Sequence, residues 1–200
     1  MKEVKRILVL LFLLPVFSGY SQNIDIRLLR EINLNRNVHL DNMFKGFTNS
    51  AGPVAYGTPA VMFGISLINH DEQLREKSLY IGASVLSSAI VSNIFKYSVN
   101  RTRPFVTYPD IQKVTSGGSP SFPSGHTSDA FSLVTSVTIA YPKWYIIIPA
   151  YGWASAVAYS RMDLGVHYPS DVLAGAVIGA SSAYLCHKAQ QWLNHKNMKR

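Results

Sequence analysis

An all-α helical bundle, membrane-embedded or packed around a buried core, is the fold class this 200-residue sequence predicts. Three observations carry that expectation. Charged residues make up only 15% of the chain, against about 25% in ordinary soluble domains. Five apolar segments recur, at roughly 52–69, 79–95, 127–141, 145–160 and 172–187, each rich in Ala, Gly, Ser, Val and Ile. Ahead of them, residues 24–50 place apolar side chains at helical spacing. The length suits one domain. The mean hydropathy of +0.09 is low for a polytopic membrane protein, so composition alone leaves embedded and soluble bundles both open.

The N-terminus reads as an export signal. Lys2, Lys5 and Arg6 precede an apolar run from Ile7 to Phe17, and small residues at Gly19 and Ser21 offer a cleavage point before Gln22. An uncleaved anchor is the alternative. Either way, residue 22 onward begins outside the cytoplasm. Residues 22–50 form the amphipathic segment: Leu28, Leu29 and Ile32 share one face, and Leu40, Met43, Phe44 and Phe47 follow the helical rule. Such a helix either lies on a membrane surface or packs on the core. The five later segments are about 15–18 residues each, at or below the length a membrane span needs. Their small residues permit close helix contacts.

Alternation gives a topology. With residue 22 outside, the loop 70–78 is inside, 96–126 outside, Pro142 to Trp144 inside, 161–171 outside and the basic tail 188–200 inside. The tail agrees with the positive-inside rule. The 96–126 loop does not, since Lys96, Arg101, Arg103 and Lys113 sit on its outer side. Those cations call for another reason.

The formal net charge of +8 suits nucleic acid, anionic lipid or an anionic substrate. No continuous Lys/Arg run of the nucleic-acid kind exists, so phosphates or lipid headgroups are the expected partners. The single cysteine, Cys186, excludes an intramolecular disulfide and a CxxC site.

Three short stretches lie on the two outer loops: Lys96 to Arg103-Pro104, Pro123-Ser124-Gly125-His126, and Ser160-Arg161 followed by His167 and Asp171. Taken singly, each has a plain structural reading. Lys96 can snorkel at a helix end, Ser124 can cap a helix, and Asp171 can complement a helix dipole. Together they bring three cations, two histidines, a carboxylate and a helix N-terminus to one predicted side. Phosphoryl transfer without a metal needs that inventory: cations for the equatorial oxygens and backbone N–H groups as an anion seat. It also needs one histidine to attack phosphorus while a carboxylate orients it, and a second to protonate the leaving oxygen. Asp129 and Asp163 lie close to the motifs, but no histidine spacing supports a metal pair, and none is expected.

The order Lys-x6-Arg-Pro, Pro-Ser-Gly-His, Ser-Arg-x5-His-x3-Asp resembles the three-part signature of the phosphatidic acid phosphatase type 2 superfamily. That superfamily includes lipid phosphatases, bacterial acid phosphatases, glucose-6-phosphatase and vanadium haloperoxidases. The resemblance spans residues 96–171 and fills every signature position. It implies an all-α fold with the site at helix ends, within a domain at 51–187. It also implies roles. His167 is the nucleophile, Asp171 its orienting carboxylate and His126 the general acid and then base. Lys96, Arg103 and Arg161 clamp the phosphate, and Ser124 and Gly125 contact it through a hydroxyl and N–H. Arg101 falls outside the signature and is expected at the rim, greeting a headgroup. The expected activity is metal-independent, cofactor-free hydrolysis of a phosphomonoester or terminal pyrophosphate on a membrane lipid. A soluble periplasmic acid phosphatase is the runner-up, with a haloperoxidase or a non-catalytic anion binder behind it.

Overall fold

The computed structural model describes the backbone of residues 18–197 and the side chains of residues 24–193. The expected export signal lies outside these residues except for its last four, which open the first helix. The described chain is helical: α1 (Ser18–Leu34), a 3-10 turn (Val38–Leu40), α2 (Asp41–Ile68), α3 (Glu72–Val99), short α4 (Pro104–Thr107), α5 (Gly125–Ala140), α6 (Trp144–Asp163) and α7 (Pro169–Asn197). The five apolar segments thus become the cores of α2, α3, α5, α6 and α7.

Local chemistry sets several boundaries. Asp71 caps α3, its carboxylate accepting the Leu74 N–H at 2.9 Å. The same helix ends at Asn100, in the left-handed region with φ 49°. Pro169 opens α7, where its missing N–H costs nothing. Two departures from the sequence reading follow. The stretch 24–50 is not one helix: it breaks at residues 35–37, and Asp41 onward belongs to α2. The helices also outrun their apolar segments, with 28 residues in α2, 28 in α3 and 29 in α7, because polar flanks continue the helical path. The central α5 stays short at 16 residues. Two stretches, Val38–Ile68 and Glu72–Thr107, are long and apolar enough to cross a membrane.

The N-terminal helix packs on the core through one edge. Ile26 and Leu29 are buried with Ile111 and Tyr168, while Leu28 is exposed. Asn33, fully buried, anchors this helix. Its amide donates to the carbonyls of Asp163 (2.7 Å) and Gln112 (3.0 Å) and accepts the Gln112 N–H.

The central helix is α5, which touches α2, α3, α6 and α7 and meets α7 most extensively. Gly175 and Gly179 make that closeness possible. A Cβ at Gly175 would sit 2.6 Å from the Ser124 carbonyl oxygen, and one at Gly179 would strike the Ser128 carbonyl. This Gly-x3-Gly spacing lets two backbones approach, as small residues do between membrane helices. On the opposite side, Ser128 of α5 meets Ser88 (2.5 Å) and Ser92 (2.7 Å) of α3, all buried. These contacts fix the starts of α5 and α7 and the end of α3 at one end of the bundle.

Candidate active site

That end gathers the three motifs. Lys96 comes from the last turn of α3, Arg103 from the loop before α4, His126 from the first turn of α5, and Arg161 from the last turn of α6. His167 lies in the α6–α7 loop, and Asp171 in the first turn of α7. A cavity of about 340 Å³ is lined by Lys96, Arg103, Gly125, His126, Arg161 and His167, together with Asp129 and the loop Ser116–Ser119.

The three cations are buried, at 8% exposure for Lys96, 7% for Arg103 and 2% for Arg161. Lys96 Nζ donates to the carbonyls of Pro120 (2.9 Å) and Pro123 (2.8 Å). Arg103 donates to the carbonyls of Ser119 (2.7 Å) and Val166 (2.8 Å). Arg161 donates to the Thr48 hydroxyl and the Ser116 carbonyl, and its Nε is buried with no hydrogen-bond acceptor. Among the described residues, none of the three forms an ion pair with a carboxylate. Buried charges without a counter-charge are costly unless an anion completes the site.

His167 is 1% exposed. Arg103 Nη1 lies 3.3 Å from its Nε2, and Asp171 Oδ2 lies 3.3 Å from its Nδ1. A guanidinium can only donate, which assigns the ring proton to Nδ1 and makes the Nε2 lone pair the acceptor of Arg103. Burial pushes the imidazole down to about 3; Asp171 pulls it up, and Arg161 and Arg103 push it further down. Asp171 is fully buried. Its Oδ2 also accepts from the Ser121 hydroxyl (2.5 Å) and the Tyr168 N–H (3.0 Å), and its Oδ1 from Arg101 (2.7 Å).

The helix start works as the sequence suggests, with one difference. Ser124 makes no side-chain cap bond, so the first N–H groups of α5 have no intrahelical acceptor and are available to an anion. The Ser124 hydroxyl itself is buried, pairs with Thr127 at 2.9 Å and does not line the cavity. Gly125 does line it. Gly117 allows the Arg103 guanidinium to lie against the 116–119 loop, since a Cβ there would meet Nη1 at 2.6 Å.

Arg101 goes beyond expectation. It borders a neighbouring cleft that shares Arg103 and Gly117–Ser119 with the cavity, but its guanidinium is also held inward: Nη2 bonds Asp25 at 2.7 Å, Nη1 bonds Asp171 at 2.7 Å, and it stacks 3.8 Å over Tyr168. Thr48, Ser121, Asp25 and the cavity-lining Asp129 were not assigned to the site from sequence. A buried or capping role for such residues depends on contacts remote in the chain, and only Asp129, three residues after His126, carried a local signal. Among the described residues, no group of three His, Cys, Asp or Glu is placed to hold a metal.

The profile described as the PAP2 superfamily matches residues 77–195. The chain belongs to the PAP2 superfamily. It is similar to an undecaprenyl-diphosphatase of Sulfolobus acidocaldarius, 29% identical over 190 residues that cover 90% of this chain and 87% of that one. It is also similar to a lipid A 4'-phosphatase of Bacteroides thetaiotaomicron, 38% identical over 69 residues. That match covers 34% of this chain and 31% of the relative, so the chain spans only about a third of that protein. The crystal structure of Aquifex aeolicus LpxE superposes with a TM-score of 0.73 at 26% identity, covering 82% of this chain and 95% of that one.

Proposed function

We propose that this PAP2-superfamily chain is a phosphoric monoester hydrolase that hydrolyses a phosphomonoester or terminal pyrophosphate of a membrane lipid through a phosphohistidine at His167. The observation that carries the reading is the set of three buried cations, none in an ion pair with a carboxylate among the described residues, around a cavity lined by His126 and His167. A phosphate dianion supplies the missing counter-charge. Names of relatives support a lipid substrate, as do the apolar stretches of α2 and α3.

The chemistry follows from the atoms. A bound phosphate dianion draws the Arg103 guanidinium onto its oxygens and frees Nε2 of His167; burial and the three cations hold the His126 ring down to about 4 in the empty cavity, and the dianion restores its proton. Nε2 then attacks phosphorus and the bond to the leaving oxygen breaks, while His126 gives that oxygen its proton. Asp171 holds Nδ1–H as the ring gains positive charge. Arg103, Arg161, Lys96 and the α5 N–H groups hold the equatorial oxygens, whose charge they stabilise without reorganising. Water then attacks the phosphohistidine, His126 takes its proton, inorganic phosphate departs and His167 is restored. The cations supply the charge stabilisation themselves, so the reaction is metal-independent. The export-type sequence pattern of residues 1–21 supports a site on the outer, periplasmic face of the membrane.

The test is phosphate release over a panel of phosphatidic acid, undecaprenyl pyrophosphate, lipid A and a soluble phosphomonoester. Wild-type protein in EDTA turns over at least one lipid, and His167→Ala loses a factor of about 10³ or more. A soluble ester hydrolysed in preference to every lipid contradicts the lipid assignment. Undiminished turnover by His167→Ala contradicts the nucleophile.

A further inference from the structure

The hydrogen bonds around Asp171 do not stop at the cavity wall. Its Oδ1 accepts from Arg101, and the same guanidinium reaches Asp25 on α1, 76 residues away in sequence. Asp25 is itself buried at 4% exposure. Its Oδ1 accepts the Ser170 N–H at 2.8 Å and its Oδ2 the Ser170 hydroxyl at 2.5 Å. Ser170 is the residue just before Asp171, and its hydroxyl also meets Arg101 at 2.7 Å. The Arg101 carbonyl accepts the Ser121 N–H at 2.7 Å, and the Ser121 hydroxyl bonds Asp171 Oδ2. Each contact therefore closes back on the carboxylate that faces His167.

We infer that Asp25 and Arg101 are positioning residues that hold Asp171 in register with His167, making α1 a part of the catalytic unit. The inference rests on the proposed roles of His167 and Asp171. The physical case is as follows. Asp171 must aim one oxygen at Nδ1 throughout the reaction and stay ionised as the imidazole gains charge. Its other oxygen is fixed by a guanidinium, whose planar fork can bond two carboxylates at once. Arg101 cannot drift, because Tyr168 lies under its face and Asp25 fixes its second arm. Asp25 also satisfies the first-turn N–H of Ser170, which sets where α7 begins and hence where Asp171 stands. A staple that merely tied α1 to the bundle would have no need to converge on this one carboxylate. Arg101 fills an unspecified position between Lys96 and Arg103, and Asp25 lies outside all three motifs and outside the matched span 77–195.

Steady-state kinetics on the best substrate of the panel tests the relay, with inorganic phosphate as a competitive probe of the cation cluster. Arg101→Gln lowers kcat on the order of 10–100-fold, the range that outer partners of a functional histidine command. KM and the phosphate inhibition constant stay within about twofold, because the cavity cations are untouched. Arg101→Lys restores part of the loss, and Asp25→Asn shows a smaller one. The double variant Arg101→Gln with Asp171→Asn is no slower than Asp171→Asn alone, because both changes remove one function. Should Arg101→Gln fail to accumulate as folded protein, Arg101→Lys and Asp25→Asn carry the same measurement. Wild-type kcat in Arg101→Gln and Asp25→Asn, or a loss confined to KM, overturns the relay. Full activity in Asp171→Asn instead overturns the underlying reading of the His167–Asp171 pair, which keeps the two failures distinct.

Discussion

His167 shows how one side chain can be prepared for attack by what surrounds it. A histidine in water is half protonated near pH 6.5, and a protonated ring has no lone pair to offer. Here burial, with Arg161 and Arg103 adding to it, holds the ring neutral down to about 3, against the opposing pull of Asp171. The sign of the consequence is definite. The base form is the reactive one, so lowering pH through 6.5 does not remove it, and reactivity is lost only as pH approaches the depressed value. Measured as kcat/KM against pH, with the ionisation of the substrate phosphate allowed for, activity shows no histidine limb near 6.5 on the acid side. A tenfold fall per pH unit beginning at 6.5 and assigned to His167 contradicts this account. Arg103 is the other residue that cannot be exchanged lightly. It bonds Ser119 and Val166 carbonyls and faces Nε2 at once, a geometry that the single ammonium of lysine does not reproduce.

At the scale of elements, the site depends on how closely α5 and α7 approach. Gly175 and Gly179 bring the α5 start against α7, where the Asp171 carbonyl accepts the Ser124 N–H at 3.0 Å. That bond joins the anion seat to the helix that carries the orienting carboxylate. Gly179→Val has no room against the Ser128 carbonyl and the Phe131 side chain, so overpacking costs about 1–3 kcal/mol. The unfolding midpoint drops and activity falls with it; a variant as stable and active as the parent contradicts the packing argument. The Ser88–Ser128–Ser92 cluster contributes less. Hydrogen bonds between membrane helices average about 0.6 kcal/mol, and its role is to set the height of Lys96 against His126.

What could be read from sequence divides along the same line. Lys96, Arg103, His126, Arg161, His167 and Asp171 sit in short motifs whose residue types state their chemistry, and the structure brings all six to one end of the bundle. The helix cores were legible because apolar runs are local. The break at residues 35–37 was not, because apolar spacing continues across it, and neither was the extra helix length, which polar flanks supply. The inward bonds of Arg101 were not legible because its two carboxylate partners lie 70 or more residues away. Ser124 has the residue type of a phosphate contact, yet its hydroxyl is turned to Thr127.

For the whole molecule, fold and site point to one use. A helical bundle gathers its cations, histidines and one orienting carboxylate at a single end, and two of its stretches are long and apolar enough to cross a membrane. The cavity of about 340 Å³ is lined by Lys96, Arg103, His126, Arg161 and His167, room enough for the phosphate that the proposed reaction brings to His167. Membership of the PAP2 superfamily and the names of the relatives fit that arrangement. The central claim is that the phosphoryl group passes through His167. The direct measurement is rapid quenching of the enzyme with a lipid substrate labelled in its phosphate, followed by peptide mapping of the labelled protein. The account predicts an acid-labile, base-stable label on the peptide containing His167, absent in His167→Ala and prolonged in His126→Ala, which cannot activate water. No covalent label during turnover, or a label on another residue, contradicts it.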